Sequence, residues 1–229
     1  MTIANSITTI VVNYKTEHLL RQCLTTFRAH FPTVPLIVID NNSADGSTQY
    51  IQGLADATAI INTTNVGHGP ALDQGIALVT TPYFFTLDSD CEIKTPEFLG
   101  EMLTKLEANP ALYAVGWLRY VDRCTGVPLE WHTDSRPPIG DRFIPYLHPY
   151  AGLYRLSTYK QLLPFFDHGA PCLNNMRDAC DKGIPVENFD LSQGVMHWKA
   201  GTRRLFHGHW HPNDNQRPGA WNKDDNFPI

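Results

Sequence analysis

Two aspartates separated by one serine, Asp88-Ser89-Asp90, follow directly on the apolar run Tyr83-Phe84-Phe85-Thr86-Leu87. Carboxylates at i and i+2, where a chain leaves a buried strand, can both reach one hard cation. Oxygen donors of this kind suit Mg2+ or Mn2+, which in turn neutralise phosphate oxygens. The same pair also makes an ordinary solvated turn, so its meaning depends on what the fold brings beside it. A second stretch, Asn65-Val66-Gly67-His68-Gly69-Pro70, allows a backbone to approach a ligand closely at Gly67 and Gly69, or simply enters a helix. It does not match G-x-G-x-x-G, and no G-x-x-x-x-G-K-[ST] loop is present, which disfavours a dehydrogenase or an ordinary nucleoside triphosphatase. Near the C-terminus His197 precedes Trp198, and His207, His209 and His211 alternate around Gly208 and Trp210. On an extended segment that alternation points three imidazoles one way. They could bind zinc, although no neighbouring cysteine or carboxylate completes a structural site. For any one of these histidines a hydrogen-bonded surface or core position is the plainer reading.

The elements that must position these groups are legible in the first half. Ile7–Val12 is a β-branched run, and Thr16–His30 carries Leu19, Leu20, Cys23, Leu24 and Phe27 at helical spacing, with Thr16 placed to cap. Pro32 and Pro35 end that helix. Leu36–Ile39 reads as a strand ending at Asp40, Ala59–Ile61 as a third, and Tyr83–Leu87 as a fourth. Short helices are expected through Leu54 and from Pro70 to Val79, a longer one over Pro96–Asn109, and a strand over Leu112–Leu118. Strand-helix repetition with short connections means a parallel sheet covered on both faces, with ligands outside the carboxyl ends of its strands. Asn13 and Tyr14, Asp40, Asn65 to His68, and Asp88 to Asp90 come from four strand ends and should meet at one edge. The second half is less periodic. Arg119–Tyr150 reads as a long functional loop or irregular sheet, Tyr150–Leu156 as a strand, Pro171–Lys182 as a helix stopped by Gly183, and Gly194–Trp198 as a last strand.

Composition sets the outer bounds. The chain has 229 residues, 42% of them hydrophobic, with 18% charged, 11% aromatic and a formal charge of −5. That is enough apolar content for a packed core, and the acidic balance argues against a nucleic-acid partner. No apolar run approaches the length of a membrane span, and Met1-Thr2-Ile3-Ala4-Asn5 lacks the basic start of a signal peptide. The five cysteines are scattered without a C-x-x-C pair, so a reduced, cytoplasmic setting is expected. One domain over 1–229 is expected, with a ligand-binding half over 1–118, a second half over 119–211 and a polar tail over 212–229.

TTIVVNYKTEHLLRQCL, LIVIDNNSADGST, NVGHGPALDQGI and YFFTLDSDCEI, in this order and spacing, resemble the inverting glycosyltransferase family two, which has the GT-A fold. The resemblance is close over residues 7–95 and thin after 118. It implies an α/β domain with a mostly parallel central sheet flanked by helices, a nucleotide-diphosphate-sugar donor, most commonly a UDP-sugar, and a Mn2+ or Mg2+ ion. By position, Asn13 and Tyr14 are implied to hold and stack on the nucleobase and Asp40 to bind it. Asn65, Gly67 and Asp73 are implied to line the nucleotide-sugar side. Asp88 would contact the ribose or a metal-bound water, and Asp90 would ligate the metal. His197 stands at the family's histidine position, and His209 is the alternative ligand if the C-terminal segment folds back as a lid.

The family usually carries Glu-Asp or Asp-Asp at the start of the helix after its acceptor-side strand, and this chain has no such pair. Asp167, Asp178 and Asp181 are the candidates for a base. Asp167, ahead of a Pro-opened helix, is the expected catalytic residue, while Asp178 and Asp181 read as helix-surface acids. Trp117, Trp131, Phe143, Tyr146 and Tyr150 are expected to form an acceptor wall for a sugar, lipid or polysaccharide, with peripheral contact at the inner face of a membrane. Core packing accounts equally well for any one of these rings. Two other functions are weaker matches. A sugar nucleotidyltransferase would want a glycine-rich loop where Val12-Asn13-Tyr14-Lys15-Thr16 stands, and a non-catalytic nucleotide-sugar-binding domain would not need both Asp88 and Asp90.

Overall fold

Side chains branched at Cβ favour a pleated, packed surface, and the Ile7–Val12 run accordingly forms the middle of a sheet. In the computed structural model, which describes residues 2–129, 142–166 and 170–198, a single turn α1 (Ile3–Ser6) leads into β1 (Ile7–Asn13). Then come α2 (Glu17–His30), β2 (Leu36–Asp40), α3 (Ser47–Gln52), β3 (Thr58–Ile61), α4 (His68–Ile76) and β4 (Tyr83–Asp88). The chain continues through β5 (Cys91–Ile93), α5 (Glu97–Ala108), β6 (Ala114–Asp122), β7 (Phe143–Arg155), the one-turn α6 (Leu156–Tyr159), α7 (Leu173–Asp181), β8 (Val186–Asn188) and β9 (Val195–His197).

Seven strands pair in the order β3-β2-β1-β4-β7-β6-β8, and β5 pairs with β9 in a separate two-stranded sheet. Every neighbour pair of the large sheet is parallel except the two made by β7, so the sheet is mostly parallel, as a GT-A fold requires. All five residues of β2 are buried, as expected for a strand covered on both faces. Alternate residues feed two cores. Val11, Leu36, Val38, Phe85 and Leu87 pack with Leu20, Leu24 and Phe27 of α2 and Leu99 and Met102 of α5. Ile10, Ile37, Ile39 and Phe84 pack with Leu72 and Ile76 of α4 and Met176 of α7. The period of two in a strand produces this division. At Gly75 a Cβ would stand 2.7 Å from Ile10 Cγ2, so glycine lets α4 lie close against β1.

The registers put the polar strand ends side by side. Asn13 lies opposite Asp40, and Val12 lies opposite Asp88. All three strands point the same way, so their carboxyl ends form one edge.

The second half departs from the sequence reading. The strand expected over Leu112–Leu118 starts at Ala114 and continues to Asp122, and the strand expected from Tyr150 starts at Phe143. Much of the expected loop over 119–150 is therefore antiparallel ladder. Pro145, Pro149 and an irregular register hide its alternation from the sequence. Between Gly116↔Gly152 and Leu118↔Leu147 the pairing advances two residues on β6 for five on β7. Residues 148–151 of β7 thus face Trp117 alone, a surplus of three, while Ala151 keeps its place opposite Leu87 of β4. The helix expected from Pro171 begins at Leu173, and the one expected to reach Val79 ends at Ile76. Among the described residues no helix is long and apolar enough to cross a membrane.

Candidate active site

Where β1 and β2 end, a buried polar network fills the space between the strands. The Asp40 carboxylate is fully buried. Its Oδ1 accepts the Ser43 hydroxyl and, at 3.4 Å, Asn13 Nδ2, and its Oδ2 accepts Thr48 Oγ1 at 2.5 Å. Ser43 Oγ also accepts Asn13 Nδ2 and the Lys15 backbone N–H, each at 2.9 Å. One hydroxyl thus ties both strand ends and holds Lys15 in the left-handed region, at φ 55°. Thr16 precedes α2 without making the expected cap bond. Its hydroxyl instead donates to Asn13 Oδ1 at 2.7 Å and pairs with Ser89 Oγ at 3.0 Å. The network therefore runs from Asp40 to the serine between the two acids. Tyr14, half-buried, lies beside it with Lys15 Nζ 5.2 Å from its ring centroid. Asn13 and Asp40 are brought together, as expected, but beneath the surface.

The loop before α4 is organised by Asn41, which sequence reasoning passed over as a turn residue. Its Oδ1 accepts Asn62 Nδ2 at 3.2 Å and Val66 N–H at 3.0 Å, and its Nδ2 donates to Asn65 Oδ1 at 2.8 Å. Asn65 Oδ1 also accepts the Gly67 N–H at 2.9 Å. Gly67 has φ 96°, a backbone state that suits glycine. Asp73 is engaged with α6, accepting Tyr159 OH at 2.6 Å.

At the end of β4 the two acids meet imidazoles from distant parts of the chain. Asp88 Oδ1 lies 3.5 Å from His68 Nε2, and its Oδ2 lies 3.8 Å from His197 Nε2. Asp90 Oδ1 lies 3.2 Å from the same His197 nitrogen. Burial pushes the Asp88 carboxyl above its ordinary value; His68 pulls it down, Asp90 pushes it up and His197 pulls it down. Trp198 N–H donates to the Asp90 carbonyl at 2.8 Å, which fixes β9 against the acidic step. Asp90, Cys91 and His197 offer carboxylate, thiol and imidazole donors within 4.8 Å of one another. Two donors held about 2.0–2.2 Å from one cation stand about 3.0–3.5 Å apart. The Asp90–His197 separation meets that requirement, so these residues fit a divalent ion. Cys91 follows Asp90 directly, but its scattered spacing from the other cysteines gave no metal signal.

The β7 bulge brings a ring cluster to the same place. Tyr150 stacks on His197, with centroids 4.7 Å apart and planes at 5°. Trp117 lies 5.7 Å from His148 and 5.8 Å from Tyr150. Tyr146, by contrast, is a core residue. Of the three acids considered as a base, two are structurally engaged. Asp178 accepts Leu163 N–H and Lys182 Nζ, each at 2.9 Å, and Asp181 pairs with Arg123. Asp167, His209 and Trp131 lie outside the described residues.

Residues 8–170 match the family described as Glycosyl transferase family 2. No curated protein matches the chain. Among solved structures it is similar to the mannosyltransferase PcManGT of Pyrobaculum calidifontis in complex with GDP-Man and Mn2+, at TM-score 0.60 and 16% identity over 80% of this chain and 54% of that one. It is similar to S. aureus TarS 1-349 in complex with UDP-GlcNAc, at TM-score 0.56 and 14% identity, over 83% of this chain and 57% of that one. Glucosyl-3-phosphoglycerate synthase of Mycobacterium tuberculosis, in complex with phosphoglyceric acid, aligns at TM-score 0.63 and 16% identity over 88% of this chain and 75% of that one. The chain thus spans little more than half the length of the first two.

Proposed function

The chain belongs to glycosyl transferase family 2, and on that premise we propose that it is a metal-dependent, inverting glycosyltransferase. It moves a sugar from a nucleotide-diphosphate sugar, UDP being the expected nucleotide, to a hydroxyl of a sugar, lipid or polysaccharide acceptor. The observation that carries this reading is the convergence of Asp88, Asp90 and His197 at 3.2–3.8 Å on the edge where a parallel sheet binds ligands. Solved neighbours that hold GDP-Man with Mn2+ and UDP-GlcNAc support a nucleotide-sugar donor.

Asp90 and His197 would hold Mn2+ or Mg2+, which when bound offsets the charge of the leaving diphosphate. Asp88, set between His68 and His197, faces the ribose or a water of the ion. Tyr14 supplies a ring for the nucleobase, over a floor fixed by Asn13 and Asp40. Asn65 and Gly67 present the loop that closes the nucleotide-sugar side, while Asp73 supports α4 through Tyr159. The Trp117–His148–Tyr150 cluster offers ring faces to the acceptor. Asp167 takes the acceptor proton as the hydroxyl attacks the anomeric carbon from the side opposite the diphosphate, and the engagement of Asp178 and Asp181 favours it over them. His209 is the alternative metal ligand.

Labelled UDP-, GDP- and dTDP-sugars, each with Mn2+ and with excess chelator, test the reading. Sugar transfer that needs the ion is expected, and full transfer in chelator would overturn the metal role. Asp167→Asn is expected to keep nucleotide affinity and lose transfer by about 10²–10⁴, the usual contribution of a positioned base. Transfer at the parent rate would remove Asp167 from the mechanism.

A further inference from the structure

Resting on the reading above only for where the cation sits, we propose that Cys91 supplies a thiolate as a third protein ligand. The centre then takes a thiophilic divalent ion, Zn2+ or Co2+, in preference to Mg2+. Strand pairing creates the arrangement. Cys91 and His197 are direct partners across the antiparallel pair β5 and β9, so their side chains leave the same face of that small sheet. Glu92 and Met196 take the other face. Asp90 is the residue before Cys91, and the Trp198 N–H bond to its carbonyl, at 2.8 Å, locks the two strands here. Tyr150 touches both Cys91 and His197. Its carbonyl accepts Cys91 Sγ at 3.5 Å, and its ring stacks on His197. Oxygen, sulfur and nitrogen donors consequently stand within 4.8 Å of one another.

A thiolate is a soft ligand and shifts the preference of a site away from Mg2+ towards zinc and its neighbours. Three protein ligands also leave a coordination position open, as in catalytic rather than structural zinc sites, and a diphosphate oxygen suits that position. When the ion binds, the Cys91 S–H bond breaks and the proton passes to solvent. The sulfur electron pair that held the proton forms the metal–sulfur bond, replacing the hydrogen bond to the Tyr150 carbonyl. No oxidant or reductant is required.

Cobalt(II) gives a readout independent of catalysis. Titration of the metal-free full chain with Co2+ is expected to raise a thiolate-to-cobalt charge-transfer band in the near ultraviolet. Cys91→Ser is expected to lose that band while Co2+ still binds Asp90 and His197. Absence of the band in the parent chain with Co2+ bound, or its survival in Cys91→Ser, would overturn the assignment. Should the serine variant fail to fold, X-ray absorption on the zinc-loaded chain, with Cys124 and Cys180 replaced by serine, decides the matter. A sulfur shell near about 2.3 Å supports the proposal, and a shell of oxygen and nitrogen alone overturns it. Sugar transfer measured alongside separates the two readings. Transfer without any metal–sulfur signal removes Cys91 and leaves the enzyme standing. A metal–sulfur signal without transfer from any nucleotide sugar removes the enzyme reading and keeps the ligand.

Discussion

Two carboxylate sites only a strand apart are held in opposite ways. Asp40 is enclosed by Ser43, Thr48 and Asn13, which between them meet both of its oxygens. Asp88 and Asp90 face His68 and His197 across 3.2–3.8 Å, and burial raises the Asp88 carboxyl above its ordinary value. Asp40 needs nothing from outside the chain, so its charge shapes the floor of the site. The acidic step instead sets two carboxylates beside two imidazoles at the open end of β4, where a cation could be held between them. The difference separates an anion paired by hydroxyl and amide donors from a pair of anions matched with titratable partners, the pattern expected of a functional site.

Substitutions can break this contrast, beginning with the largest effect. Asp90→Ala removes the carboxylate proposed to hold the ion and is expected to lower Mn2+-dependent transfer by roughly 10³ or more, because metal stabilisation of leaving-group charge is worth several kcal/mol. Thermal unfolding of the metal-free variant should remain near that of the parent. Equal losses of activity and folding would place Asp90 with Asp40. Asp40→Ala should do the reverse, costing about 1–3 kcal/mol for each buried donor left unpaired. Urea unfolding should show the loss, with nucleotide affinity falling through the displaced floor; an unchanged midpoint would mean that water replaces the carboxylate.

Thr16→Val tests whether the two ends are joined. Its hydroxyl lies between Asn13 and Ser89, and its removal is expected to cost about 1 kcal/mol and to weaken nucleotide and Mn2+ binding together in calorimetry. If only stability falls, the ends are independent. The smallest effect is expected far from both. Burial pushes the Asp122 carboxyl up, but hydrogen bonds from Arg142, Thr125 and Cys124 outweigh it and hold the group at about 2. Because the folded value is depressed, the stabilisation is present above the ordinary carboxylate range and is lost as pH falls from about 4 to about 2. Arg142→Gln should reduce that acid-linked loss in unfolding measured across this window, and a slope identical to the parent would exclude the pair as its source.

Much of the floor was legible because local signals coincided there. Leu36–Ile39 is a continuous apolar run stopped by an acid, and strand-helix alternation places such stops on one edge. Ser43 and Asn41 were recognisable only as turn residues, since their partners Asn13, Lys15 and Asn65 lie about 24–30 residues away. The acidic step was legible as a possible cation site, and the resemblance placed His197 there. His68 as a partner of Asp88 emerged only from α4 docking on the sheet. Cys91 gave no signal because its partner lies on β9, a three-residue strand with no periodicity of its own. β7 was the largest miss: prolines and a bulge erase the alternation by which a strand is recognised.

The reversed β7 also matters while the chain is being made. It lies between β4 and β6 in the sheet, yet about sixty residues of synthesis separate it from β4. Until it arrives, the edge of β4, lined by Phe84 and Phe85, is an open template that any extended chain can join. Pairing so distant in sequence closes slowly. The nascent protein therefore passes through an interval in which its parallel strands are assembled but unsealed. A shortened chain ending at residue 118 would remain in that interval and aggregate rather than fold as a half-domain.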